Sequence, residues 1–60
     1  MASGGSNRLM GVPEAAEFLA VPERTLRENW RRWGLAAHRV GRAIRFRERD
    51  IECWLEKNRI

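Results

Sequence analysis

Eight arginines stand between positions 24 and 47 (Arg24, Arg27, Arg31, Arg32, Arg39, Arg42, Arg45 and Arg47), against a single acid, Glu28. The stretch carries +7, which leaves −3 for the rest of the chain to reach the overall +4. A guanidinium fork bonds bidentately to phosphate oxygens and to guanine edges, and it enters a narrow minor groove. The chemistry these residues offer is therefore recognition of a polyanion. The stretch also changes period midway, from the helix-like PERTLRENWRRW to the alternating HRVGRAIRFR. A basic helix followed by a basic hairpin has a shape that meets duplex DNA. Eleven of the twelve basic residues are arginine. GC-rich coding accounts equally well for that ratio, but it does not explain the clustering.

Other chemistries find little support. No nucleophile–base pair, carboxylate dyad or glycine-rich phosphate loop is present, so the chain does not read as an enzyme. One cysteine, Cys53, excludes an internal disulfide, and with a single histidine there is no zinc-ligand cluster and no implied cofactor. Cys53, beside Trp54, reads as a small core filler. His38 reads as a hairpin residue covering Trp33 or touching a phosphate. Thr25 faces the turn or a phosphate, or bonds within its helix. No apolar run approaches the ~20 residues that span a bilayer, and no signal peptide is visible, so a cytoplasmic protein is expected.

The elements that must hold the arginines are short. Sixty residues make one domain that buries only about 60% of its unfolded surface, so apolar packing must stabilise it. Residues 1–8, opening MASGGSN, read as a disordered tail or a cloning scar, with the domain over 9–60. Pro13 to Ala20 forms a first helix, with Pro13 in the first turn and an apolar stripe of Ala15, Ala16 and Leu19. Val21-Pro22 breaks it. A second helix follows over Glu23–Arg32, with Leu26 and Trp30 on its apolar seam and Gly34 as a left-handed C-cap.

Beyond Leu35 the period becomes two. His38, Val40, Ile44 and Phe46 are expected on one face of a hairpin turning at Gly41-Arg42, with Arg39 and Arg45 on the other. A last helix over Glu48–Asn58 closes the core through Ile51, Trp54 and Leu55. Trp30 and Trp54 read as core, while Trp33 is either partly exposed or packed beneath the hairpin. The whole is mainly α with a small β-hairpin: a winged helix-turn-helix, with two-stranded wing and C-terminal helix.

Residues 9–57 resemble the excisionase-type DNA-binding domain, a branch of the MerR-like winged-helix superfamily. The resemblance is carried by VPEAAEFLAVPERTL, then Gly34-Leu35, then HRVGRAIRFR, then DIECWLEKN, in that order and spacing. Two positions depart from the family. Ala20 stands where glycine is usual, and a left-handed alanine there costs roughly 1–2 kcal/mol. Pro22 stands where serine usually caps the second helix, and proline supplies no such cap.

The resemblance implies that Glu23–Arg32 lies in the major groove. Glu23, Arg24, Thr25, Arg27 and Glu28 lie toward its DNA-facing start. Arg24 and Arg27 then bond guanine or phosphate, and Glu28 accepts from a cytosine amine or orients an arginine. Arg31 and Arg32 are expected on phosphates, Arg42 in the minor groove, and Arg39 and Arg45 on the backbone beside it. The implied function is that of a recombination directionality factor, which binds attachment-site DNA and steers an integrase toward excision of a mobile element. Further copies on adjacent sites are expected partners, with Glu48, Glu52 and Glu56 meeting a neighbour's basic surface. The alternatives are a small MerR-like transcriptional regulator and, less favoured, a winged-helix protein–protein adaptor. Regulators of that kind continue into a long dimerisation helix, which these sixty residues do not include.

Overall fold

A computed structural model describes residues 8–60. The elements are β1 (Leu9–Met10), α1 (Val12–Leu19), α2 (Glu23–Asn29), β2 (His38–Val40), β3 (Ala43–Arg47) and α3 (Glu48–Lys57). Three helices thus accompany a small antiparallel sheet of order β1-β3-β2. The expected tail falls outside the described residues except for Arg8. The Arg8 carbonyl accepts from Glu48 N–H at 2.9 Å, and its guanidinium meets Glu14 at 2.6 Å.

α1 has its apolar side at Val12, Ala15 and Ala16, all buried, and Pro13 lies in its first turn as expected. It ends in a reversal with two characteristic bonds. Ala20 N–H reaches Glu17 O at 3.1 Å, and Val21 N–H reaches Ala16 O at 3.0 Å. These are the paired bonds of a Schellman motif, which needs a left-handed residue between them. Ala20 takes that role at φ 59, ψ 41. α2 begins at Pro22, whose side chain makes no cap bond.

The regular helix of α2 stops at Asn29, short of the expected Arg32. Its path nevertheless continues, because Trp33 N–H still bonds Asn29 O at 2.8 Å. A second Schellman pair then closes it, Gly34 N–H to Arg31 O and Leu35 N–H to Trp30 O, both at 3.0 Å. Gly34 is left-handed at φ 74, as its position predicts.

The core is Met10, Val12, Ala15, Ala16, Leu26, Leu35, Phe46 and Ile51. Trp30 and Trp54 pack against it but are only partly buried. Trp30 meets Phe46 edge-on at 6.0 Å. Trp33 stacks on Trp54 at 5.4 Å rather than lying under the wing, and Trp54 Nε1 donates to the Trp33 carbonyl at 2.8 Å. Trp33 is thus partly exposed and ties the end of α2 to α3. Two α3 expectations fail. Leu55 is 42% exposed and does not close the core, and Cys53 is exposed rather than filling it. Only Ile51, buried, and Trp54, half-buried, reach the core from α3; Leu55 lies one turn beyond Ile51, toward the helix end, and stays in solvent.

The hairpin faces also need correction. Val40 stands opposite Ala43, Arg39 opposite Ile44 and His38 opposite Arg45. Directly opposed residues project to one face. His38 and Val40 therefore share a face with Arg45, and Arg39 shares one with Ile44 and Phe46. A two-residue turn pairs even positions with odd ones, so His38, Val40, Ile44 and Phe46 cannot lie together. Gly41 is left-handed at φ 63 and Arg42 is not, the sign pattern of a type II′ turn. β1 was not expected at all. Its Met10 stands opposite Phe46 and extends the core face by one residue.

Candidate nucleic-acid interface

Leu26 is fully buried and anchors α2, so the opposite side of the helix is solvated. The i, i+4 spacing sets Arg24, Glu28 and Arg32 along one ridge, with Arg27 and Arg31 along the next. Two acids lie among these arginines. Arg24 Nε donates to Glu28 at 3.2 Å, so Glu28 orients an arginine within its own helix. Glu23 stands 4.0 Å from Arg27. Both pairs are exposed, the Arg24 side chain at 87%, and exposed pairs contribute only about 0–1 kcal/mol. Neither removes an arginine from service. Arg31 lies 5.1 Å over the Trp30 ring, and Arg32 donates to Asn29 Oδ1. Thr25 is half-buried; its carbonyl accepts from Asn29 at 2.8 Å, and its hydroxyl has no partner among the described residues.

Two clefts lie between α2 and the hairpin, and Ile44 lines both. The first, about 220 Å³, is lined by Val12, Pro13, Arg27, Arg42, Ala43, Ile44 and Arg45. The second, about 150 Å³, is lined by Trp30, Arg31, Ala37, His38, Arg39 and Ile44. Arg39 and Arg42 are exposed and have no side-chain partner among the described residues. Arg45 differs: it is half-buried and donates through Nη1 to the Ile44 carbonyl at 3.1 Å. His38 is also committed elsewhere, with Nε2 3.1 Å from Asp50 Oδ2 on α3. That pair ties the base of the wing to the last helix and replaces the expected Trp33 or phosphate contact.

The structure thus brings Arg27 together with Arg42 and Arg45, and Arg31 together with Arg39. Neither cleft is lined by Arg24 or Arg32. Sequence reasoning missed this grouping, although the two-residue turn carried the signal. Once Val40 faces Ala43, Arg45 must share the face of His38. No helix among the described residues is long and apolar enough to cross a membrane, and no three His, Cys, Asp or Glu residues there gather as a metal site.

Two short helices at a tight reversal, followed by a basic wing, define a winged helix-turn-helix. A family model described as a helix-turn-helix domain matches residues 9–59, and the chain belongs to that family. No curated protein and no solved structure matches the chain. Helix-turn-helix domains bind DNA and are typically non-catalytic, and double-stranded DNA is the partner this fold implies.

Proposed function

We propose that residues 9–60 form a sequence-specific duplex-binding domain that acts as an excisionase, a recombination directionality factor. In this reading it binds attachment-site DNA in the cytoplasm and directs a site-specific integrase toward excision. The observation that carries the DNA-facing assignment is the convergence of α2 and wing arginines on the two clefts that Ile44 lines, with few carboxylates to neutralise them. Arg24, 87% exposed on the outward ridge, is the residue to read a base edge, and its Glu28 partner orients it. Arg31, Arg32 and Arg39 neutralise backbone phosphates, and Thr25 lies at the start of the helix near the same strand. The order of motifs across residues 9–57 supports the excision role.

A single module of this kind covers about 600–1,000 Å² of DNA-facing surface, so several copies on neighbouring sites would share the task. Two measurements test the reading. Duplex affinity should fall steeply with salt, with single strands of the same sequence bound more weakly. Footprinting on attachment-site DNA should then show protection, and adding the protein to a matched integrase should shift its products toward excision. Equal affinity for single strands would remove the duplex assignment. Protection of a promoter with no effect on integrase would favour the regulator instead.

A further inference from the structure

We infer that the cleft between α2 and the wing seats one backbone phosphate of the duplex, held jointly by Arg27, Arg42 and Arg45. This inference rests on the duplex-binding reading and deepens it. The three arginines, one from α2 and two from the hairpin, line one open cleft. Between them its lining is aliphatic: Val12, Pro13, Ala43 and Ile44. Such a floor has no side-chain group to bond a base edge. What it favours is a compact anion with several acceptor oxygens, met by charge-assisted N–H groups.

Charge balance points the same way. Glu23 lies 4.0 Å from Arg27 in an exposed pair, and neither Arg42 nor Arg45 has a carboxylate partner among the described residues. Arg45 is the most constrained member. It is half-buried, it uses one donor on the Ile44 carbonyl, and its Nη1 would stand 3.5 Å from a methyl group built on Gly11. A guanidinium has five N–H donors, so most of Arg45's remain for a ligand, on a side chain whose position is already set. An anion arriving there meets a partly desolvated positive charge and orders little more.

The second cleft lacks these properties. There two arginines rather than three line the cleft, Arg31 lies over the Trp30 ring, and His38 is paired with Asp50. Position in the fold completes the case. A helix in the major groove with its wing toward the adjacent minor groove straddles the phosphate strand between the two. That strand passes through this cleft. Arg27 and Arg42 then fix the register of the protein on the duplex, and base discrimination falls to Arg24.

The test exploits sharing. Each neutralised duplex phosphate contributes about 0.9 to the slope of log affinity against log salt. If the three arginines hold one phosphate, Arg27→Gln and Arg42→Gln each leave that phosphate neutralised and change the slope little. The triple variant, with Arg45→Gln added, then loses about one phosphate's worth, roughly 0.9. It should also lose affinity equally for cognate and scrambled duplexes. Replacing single phosphates with neutral methylphosphonates should reveal one position that weakens the natural protein and leaves the triple variant unaffected.

Single variants that each lower the slope by about 0.9 would mean three separate phosphates and overturn the inference. So would loss confined to the cognate sequence, because that is base reading. Inorganic phosphate that displaces DNA more strongly than chloride at equal ionic strength would make the cleft a free-anion site instead. Thermal melts of every variant confirm folding. Failure of the natural protein to bind duplex would sink the duplex-binding reading itself, whereas normal binding by the triple variant would sink only the shared seat.

Discussion

Two chain reversals bracket α2, and they make the same hydrogen bonds with different residues. At the first, Ala20 holds the left-handed position at φ 59, followed by the half-buried Val21. At the second, Gly34 holds it at φ 74, followed by the buried Leu35. Left-handed backbone costs glycine nothing and costs alanine about 1–2 kcal/mol. The reversal that sets α1 against α2 is therefore the strained one, and the one that leads into the wing is relaxed. Where the local residue is right, packing adds stability on top. Where it is wrong, the packing of α1 on α2 must offset it.

Substitutions at the two reversals sharpen that contrast. The largest effect belongs to Leu35→Ala. Truncating this buried side chain should cost about 2–5 kcal/mol, against a total stability of a few kcal/mol for a domain this small. Chemical denaturation should find it largely unfolded, while Val21→Ala, only half-buried, should lose roughly 1 kcal/mol.

Next comes Gly34→Ala. No heavy atom lies within 4 Å of the added methyl, so its cost is conformational alone, about 1–2 kcal/mol. That corresponds to a fall in Tm of about 4–8 °C per kcal/mol. The mirror experiment is Ala20→Gly, expected to raise stability by about 1 kcal/mol with unchanged DNA affinity. A stable variant that binds duplex more weakly would instead mean that alanine restricts the helix-turn-helix angle in a way binding needs.

Smallest is Pro22→Ser. A serine cap contributes about 1 kcal/mol, and losing the proline's rigidity offsets about 0.4–1 of it. Stability should scarcely move, but amide exchange at Arg24 or Thr25 should slow, because the new hydroxyl accepts from one of those N–H groups.

Much of the fold is legible because its signals are local. Pro13, Val21-Pro22, Gly34 and Gly41 each act within a few residues, and the helices, the second cap and the turn follow from them. The contacts that sequence reasoning missed join residues far apart in the chain. β1 is two residues long, too short to show a period, and exists only because β3 offers it an edge. His38 meets Asp50 across 12 residues, and Trp54 meets Trp33 across 21. The arginines are a mixed case. Their number and the helix-to-hairpin change were plain, but their partition was not.

By itself, then, the sequence determined a basic helix, a left-handed glycine cap after it and a basic two-residue hairpin, since each depends on dihedral preferences and charges within one short segment. Tertiary structure alone decided that Arg27 shares a cleft with Arg42 and Arg45, and that Cys53 and Leu55 stay outside the core. Those outcomes depend on which surfaces meet when the helices and sheet pack. No spacing within a single element encodes them.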